Sequence, residues 1–119
     1  MFELLSDIVV ALVGLAHLGF LALEMFYWEH PVGLKIFRHD AAHAAATRTL
    51  AANQGLYNGF LAAGLFWGLV PSAFSGDVKT FFLLCVIIAG AYGAYSVSRR
   101  IFWIQGAPAM VGLAFTWLA

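Results

Sequence analysis

Four apolar runs, each close to the length a helix needs to cross a bilayer, occupy most of this 119-residue chain and constrain its fold more than any motif does. About 20 mostly apolar residues cross a hydrocarbon core of roughly 30 Å as a helix. The runs read as helices over about residues 5–26, 50–70, 80–98 and 101–119. Charge is too scarce for any solvent but lipid: 10% of residues are charged, 63% are hydrophobic, and the mean hydropathy is +0.89. Soluble domains carry roughly a quarter charged residues. The expectation is an all-α, polytopic membrane protein, a single transmembrane domain over 1–119 formed as a four-helix bundle with membrane lipid around it.

The same composition excludes several classes. Net charge is zero, with no basic tail or stripe, so nucleic acid is not an expected partner. The single cysteine, Cys85, rules out an internal disulfide or a Cys-x-x-Cys couple and reads as a small buried apolar residue. No positive region precedes the first apolar run, so that run is expected to stay in the mature protein. No nucleotide or metal motif is present, and no cofactor is expected. His39 and His43 stand at i, i+4 spacing, which can share a metal on a helix, but no third ligand follows at motif spacing and no metal site is expected.

Orientation follows from lysine and arginine, which keep short loops cytoplasmic. Lys35, Arg38, Arg48, Arg99 and Arg100 fall in the first and third connections, and only Lys79 falls on the other side. Both termini are then expected outside the cytoplasm of an inner cell membrane, with Tyr27, Trp28, Phe37 and Trp103 at the inner interface. Residues 40–50, rich in alanine, read as helix that lies at the interface or extends the second span. The last boundary has two readings, because Gly106 and Pro108 suit a helix start better than a helix middle. In the second reading the third helix passes Arg99 and Arg100, and a shorter last helix starts near Ala107.

Small residues supply the packing surfaces. In lipid, helices associate by close backbone approach and interhelical polar contacts. Gly55-x-x-x-Gly59 continuing to Ala63, and Gly64-x-x-x-Gly68 beside it, are such stripes; Ala89, Gly90, Gly93 and Ala94, then Gly106, Ala109 and Gly112, answer them. A homodimer is a further use for a minority of these glycines.

Polar residues at membrane depth are costly and mark either a structural network or a functional site. Glu24 ends the first span; Asn53, Gln54, Tyr57 and Asn58 begin the second; Tyr92, Tyr95 and Ser96 end the third; Gln105 opens the fourth. All fall toward the cytoplasmic half, and the outer half reads as almost wholly apolar. His17 and Glu24 are seven residues apart, about two helical turns, and so share a face. Gln54 and Asn58 share another. The expectation is a pocket open to the cytoplasm, floored near His17, walled by Glu24, Asn53, Gln54, Asn58 and tyrosines, and rimmed by arginines. The alternative is a polar network that only fixes the bundle, with Glu24 paired to an arginine.

The strings Glu24-Met25-Phe26-Tyr27-Trp28, Asn53-Gln54-Gly55-Leu56-Tyr57-Asn58-Gly59 and Gln105-Gly106-Ala107-Pro108-Ala109 resemble the domain-of-unknown-function 1304 family of small four-helix membrane proteins. The resemblance covers nearly the whole chain. It implies the four-helix architecture and places Glu24, Trp28, Asn53, Gln54, Tyr57, Asn58 and Gln105 at motif positions, without an activity. Three functions compete. One is a binding protein or carrier for a small amphipathic ligand, held by these residues and His17. Another is a cofactor-free membrane enzyme, isomerase-like, with Glu24 and His17 exchanging protons. The last is an accessory subunit of a larger membrane complex.

Overall fold

Capping side chains set several helix starts in the computed structural model, which describes all residues 1–119 and contains helices and no strand. The first helix, α1 (Phe2–Met25), runs 24 residues without a proline. The His30 side chain then accepts from the Val32 N–H at 3.1 Å and, with Pro31 in the first turn, starts the short α2 (Pro31–Phe37). Arg38 closes α2 in the left-handed region, at φ 56° and ψ 46°, its N–H returning to the Leu34 carbonyl. Asp40 accepts from the His43 N–H at 2.7 Å and opens α3 (Ala41–Gly68), so the alanine-rich stretch forms the first turns of a 28-residue helix. After Pro71, α4 (Ser75–Ser96) begins earlier than its apolar run suggests, which puts Lys79 inside a helix.

The last boundary falls before the arginines. Val97 and Ser98 leave helical geometry, Ser98 is extended at φ −157° and ψ 137°, and its hydroxyl accepts from the Arg100 N–H. A continuous helical run follows: α5 (Arg99–Ile101), a π-helical turn (Phe102–Gly106) and α6 (Ala107–Leu118). The π turn has a local cause. Pro108 lacks an N–H, and its ring conflicts with the carbonyl four residues back; the wider turn, in which Ala107 N–H bonds Phe102 C=O, relieves that conflict. The third helix therefore does not run on past Arg99 and Arg100.

Three helical stretches are long and apolar enough to cross a membrane: Phe2–Met25, Ser75–Ser96 and Arg99–Leu118. Many large apolar side chains point outward, among them Leu12, Phe60, Trp67 and Ile88.

The chain divides into two compact units, one of Met1–Leu15 with Leu61–Ala119 and one of Ala16–Phe60, the divisions falling within α1 and α3. In the first unit Val10 and Val13 of α1, Leu65 of α3, Leu83 and Val86 of α4, and Ala109 and Leu113 of α6 form a buried cluster. Gly90 of α4 meets the π turn backbone to backbone, and a Cβ there would lie 2.7 Å from the Gly106 nitrogen.

This unit also corrects one sequence expectation. The end of α1 near the N-terminus is not almost wholly apolar. Ser6 is fully buried and shares a 2.7 Å hydrogen bond with Thr116, while Lys79, 5% exposed, donates to Asp7 and to Ser6. The lysine reaches this position because its aliphatic stem lies along Gly68, where a Cβ would meet Lys79 Cγ at 2.8 Å. Read singly, Ser6, Asp7, Lys79 and Thr116 are scattered polar residues; three helix ends bring them together.

Candidate functional site

In the second unit, the end of α1 and the first half of α3 meet because Gly55 and Gly59 have no side chains. A Cβ on Gly55 would lie 2.7 Å from Met25 Cγ, 3.1 Å from Glu24 Cβ and 3.2 Å from the Leu21 carbonyl oxygen, and one on Gly59 would lie 2.7 Å from a Leu21 methyl. Between these glycines stands Asn58. The close approach brings its amide Nδ2 to donate to Glu24 Oε1 at 2.5 Å, with Asn58 8% and Glu24 5% exposed. A polar side chain buried in this way needs its partner, since leaving one unpaired costs more than the bond itself is worth.

Beside this pair lies a pocket of about 390 Å³. Glu24, Met25, Phe26, Trp28, Glu29 and His30 line one side, and Arg48, Thr49, Ala52 and Asn53 of α3 line the other. Trp28 is held in place by a chain of bonds: its Nε1–H donates to Thr47 Oγ1 at 3.1 Å, and that hydroxyl donates to the His43 carbonyl at 2.7 Å. Its ring packs against Phe37 and His39, with centroids 4.7 and 4.5 Å away. His39 Nε2 lies 3.3 Å from the Trp28 carbonyl oxygen, and its ring packs on His43 at 5.5 Å. His39, and His43 of α3 behind it, thus belong to the group of rings that packs against Trp28. Arg48 and Glu29, both of the lining, form an ion pair at 3.7 Å, with 70% and 46% of their side chains exposed. So exposed a pair contributes at most about 1 kcal/mol.

Of the residues expected at a site, Glu24, Trp28 and Asn53 line this pocket, and Asn58 supports it from behind through Glu24. Gln54 and Tyr57 lie on the exposed side of α3, with the Tyr57 ring 6.0 Å from Phe60. His17 is 1% exposed, its ring edge-on to Phe20 at 5.1 Å, and it does not line the pocket. The seven-residue spacing puts it on the face of Glu24 but two turns away along the helix, and the pocket lies at the Glu24 end. Glu24 is paired to an amide rather than to an arginine. Gln105 stands in the π turn, in the unit formed by Met1–Leu15 and Leu61–Ala119. Tyr92 and Tyr95 are exposed, 69% and 89%.

Sequence reasoning did not single out Glu29, His30, Arg48 and Thr47 as site residues. Arg48 and His30 were legible only as charge and as a loop residue; that α3 starts at Ala41, and so carries Arg48 on the pocket wall and Thr47 within reach of Trp28, is what gives Arg48 and Thr47 a place.

An all-α chain with three apolar helices able to cross a membrane, and a buried carboxylate–amide pair at a pocket, defines a small helical membrane-type protein. It belongs to the family described as "Protein of unknown function (DUF1304)", whose model matches residues 11–117. It is similar to the uncharacterized protein YpaA of Lactococcus lactis subsp. lactis (strain IL1403), 26% identical over 112 residues that cover 92% of this chain and 94% of that one. No solved structure matches the chain.

Proposed function

We propose that this chain is a multi-pass protein of the inner cell membrane whose polar intramembrane pocket, open to the cytoplasm, binds or carries a small amphipathic ligand. The carrying observation is Glu24, buried at the pocket wall and held by Asn58. A carboxylate at this depth is retained against a cost, and by default marks a site. Apolar surface from Met25, Phe26, Trp28 and Ala52 shares the lining with Glu24, Glu29, Arg48 and Asn53. That mixture suits a molecule with one polar end.

Four crossings fit the packing better than three. The second half of α3 contributes the buried Leu65 to the cluster formed by α1, α4 and α6, and Phe66 and Phe82 fill the space over Gly14 and Gly64. A helix packed among membrane spans shares their solvent. Its lower hydropathy comes from Asn53, Gln54 and Asn58, and Asn58 is satisfied by α1. Five of six basic residues lie at 35–48 and 99–100, and the sixth, Lys79, is neutralised by Asp7. That asymmetry supports a cytoplasmic 26–49 segment, with both termini outside.

The test is mass spectrometry of protein extracted with its native lipids. Wild type should retain a small amphiphile that Glu24→Gln and Asn58→Ala both lose while still folded. A stoichiometric protein partner, with no small molecule in wild type, contradicts the proposal and favours an accessory subunit.

A further inference from the structure

The charges lining the pocket do not cancel. Glu29 and Arg48 pair with each other at 3.7 Å, whereas Glu24, 5% exposed, is bonded to the neutral amide of Asn58. His30 is the other titratable group of the lining, and its ring nitrogen is engaged with the Val32 N–H. Burying an ionised carboxylate is costly unless a cation accompanies it. Here the chain supplies an amide and leaves the cation to whatever occupies the pocket. A bare metal ion is a poor occupant, because hard cations require about six oxygen ligands, while Met25, Phe26, Trp28 and Ala52 give this pocket apolar walls. An organic cation matches both features, its charge set against Glu24 and its hydrocarbon against the Trp28 and Phe26 side of the lining, where aromatic surface also favours cations.

We propose that the pocket selects amphipathic ammonium cations, with the Glu24 carboxylate as their counter-charge. This rests on the pocket reading above and adds the sign of the ligand's charge.

The experiment compares decyltrimethylammonium, decanol and decanoate, which share one chain length, by equilibrium dialysis against the protein in neutral phosphatidylcholine nanodiscs, with uptake by empty discs subtracted. Wild type should bind the ammonium about tenfold more tightly than decanol, and decanoate more weakly than either. Glu24→Gln should bring ammonium binding down to the wild-type decanol level. Arg48→Gln keeps the fold accessible to test, because the Arg48 side chain is 70% exposed. It removes the one cation of the pocket wall and should tighten ammonium binding by about two- to fivefold. Equal binding of ammonium and decanol to wild type overturns the proposal, as does ammonium binding that Arg48→Gln weakens or leaves unchanged. In those cases the pocket itself still stands, because decanol binds. If no probe binds above the empty discs, the pocket reading falls and takes the cation with it.

Discussion

At the scale of single residues, the molecule is organised by two buried polar contacts, and they differ in what their loss exposes. Asn58 is the partner that the structure gives Glu24, so Asn58→Ala strands a buried carboxylate. It should cost about 1–2 kcal/mol, at the upper end of measured interhelical hydrogen bonds. Glu24→Gln keeps an oxygen that can accept from the Asn58 amide and should cost less than about 1 kcal/mol. Reversible unfolding in mixed micelles measures both; a larger loss for Glu24→Gln than for Asn58→Ala would contradict the pairing. Lys79 behaves differently, because its partner Asp7 keeps 44% of its side chain exposed and can rehydrate, and Ser6 retains Thr116. Lys79→Met should therefore cost about 1 kcal/mol or less, read in the same titration. The sequence made Glu24 and Asn58 legible as costly residues, but not as each other's partner. Spacing grouped Asn58 with Gln54 and Glu24 with His17, since periodicity reports which face a residue occupies and says nothing of the depth at which a neighbouring helix arrives.

At the scale of elements, glycine position decides which helices touch. Gly55 and Gly19 make a controlled pair. A Cβ at Gly55 runs into Met25, Glu24 and the Leu21 backbone, while one at Gly19 meets nothing within 4 Å. Gly55→Ala should destabilise by about 1–3 kcal/mol, as overpacking does, and should weaken the Glu24–Asn58 contact. Gly19→Ala should be neutral or stabilise by up to about 1 kcal/mol, from helix propensity alone. Equal effects, measured by thermal unfolding in one detergent, would contradict the close approach at Gly55. The glycine stripes were legible in the sequence as packing surfaces; which helix each one meets was not, because that depends on partners far along the chain. Helix ends followed the same division. Pro71 and the apolar runs located the elements approximately, whereas the start of α3 at Ala41 and of α4 at Ser75 rests on the Asp40 cap and on residues too polar to read as span. The π turn before Pro108 follows from proline chemistry once the arginines are known to lie beyond a break at Val97 and Ser98.

At the scale of the whole molecule, hydropathy identifies α1, α4 and the final helical run as able to cross a membrane, while α3 owes its place in the proposal to packing. At 1.5 Å per residue the 28 residues of α3 reach about 42 Å, longer than a hydrocarbon core of roughly 30 Å, so in the proposed topology its first turns, with Arg48, extend beyond the core. Scarcity of charge made an all-α chain with long apolar helices legible in the sequence, and three of its helical stretches are long and apolar enough to cross a membrane. The sequence carried the pocket only in part: Glu24, Trp28 and Asn53 line it, but Gln54 and Tyr57 face away, and His17 is buried elsewhere along α1. The account as a whole requires a pocket that water reaches from the cytoplasm and that an amphiphile fills. Ala52, on the pocket wall, tests this directly as Ala52→Cys in a Cys85→Ser background. A membrane-impermeant maleimide should label the new thiol in inside-out vesicles and not in right-side-out ones, and decyltrimethylammonium should slow the labelling. Labelling from the outer side, or labelling that the amphiphile leaves unchanged, would contradict it.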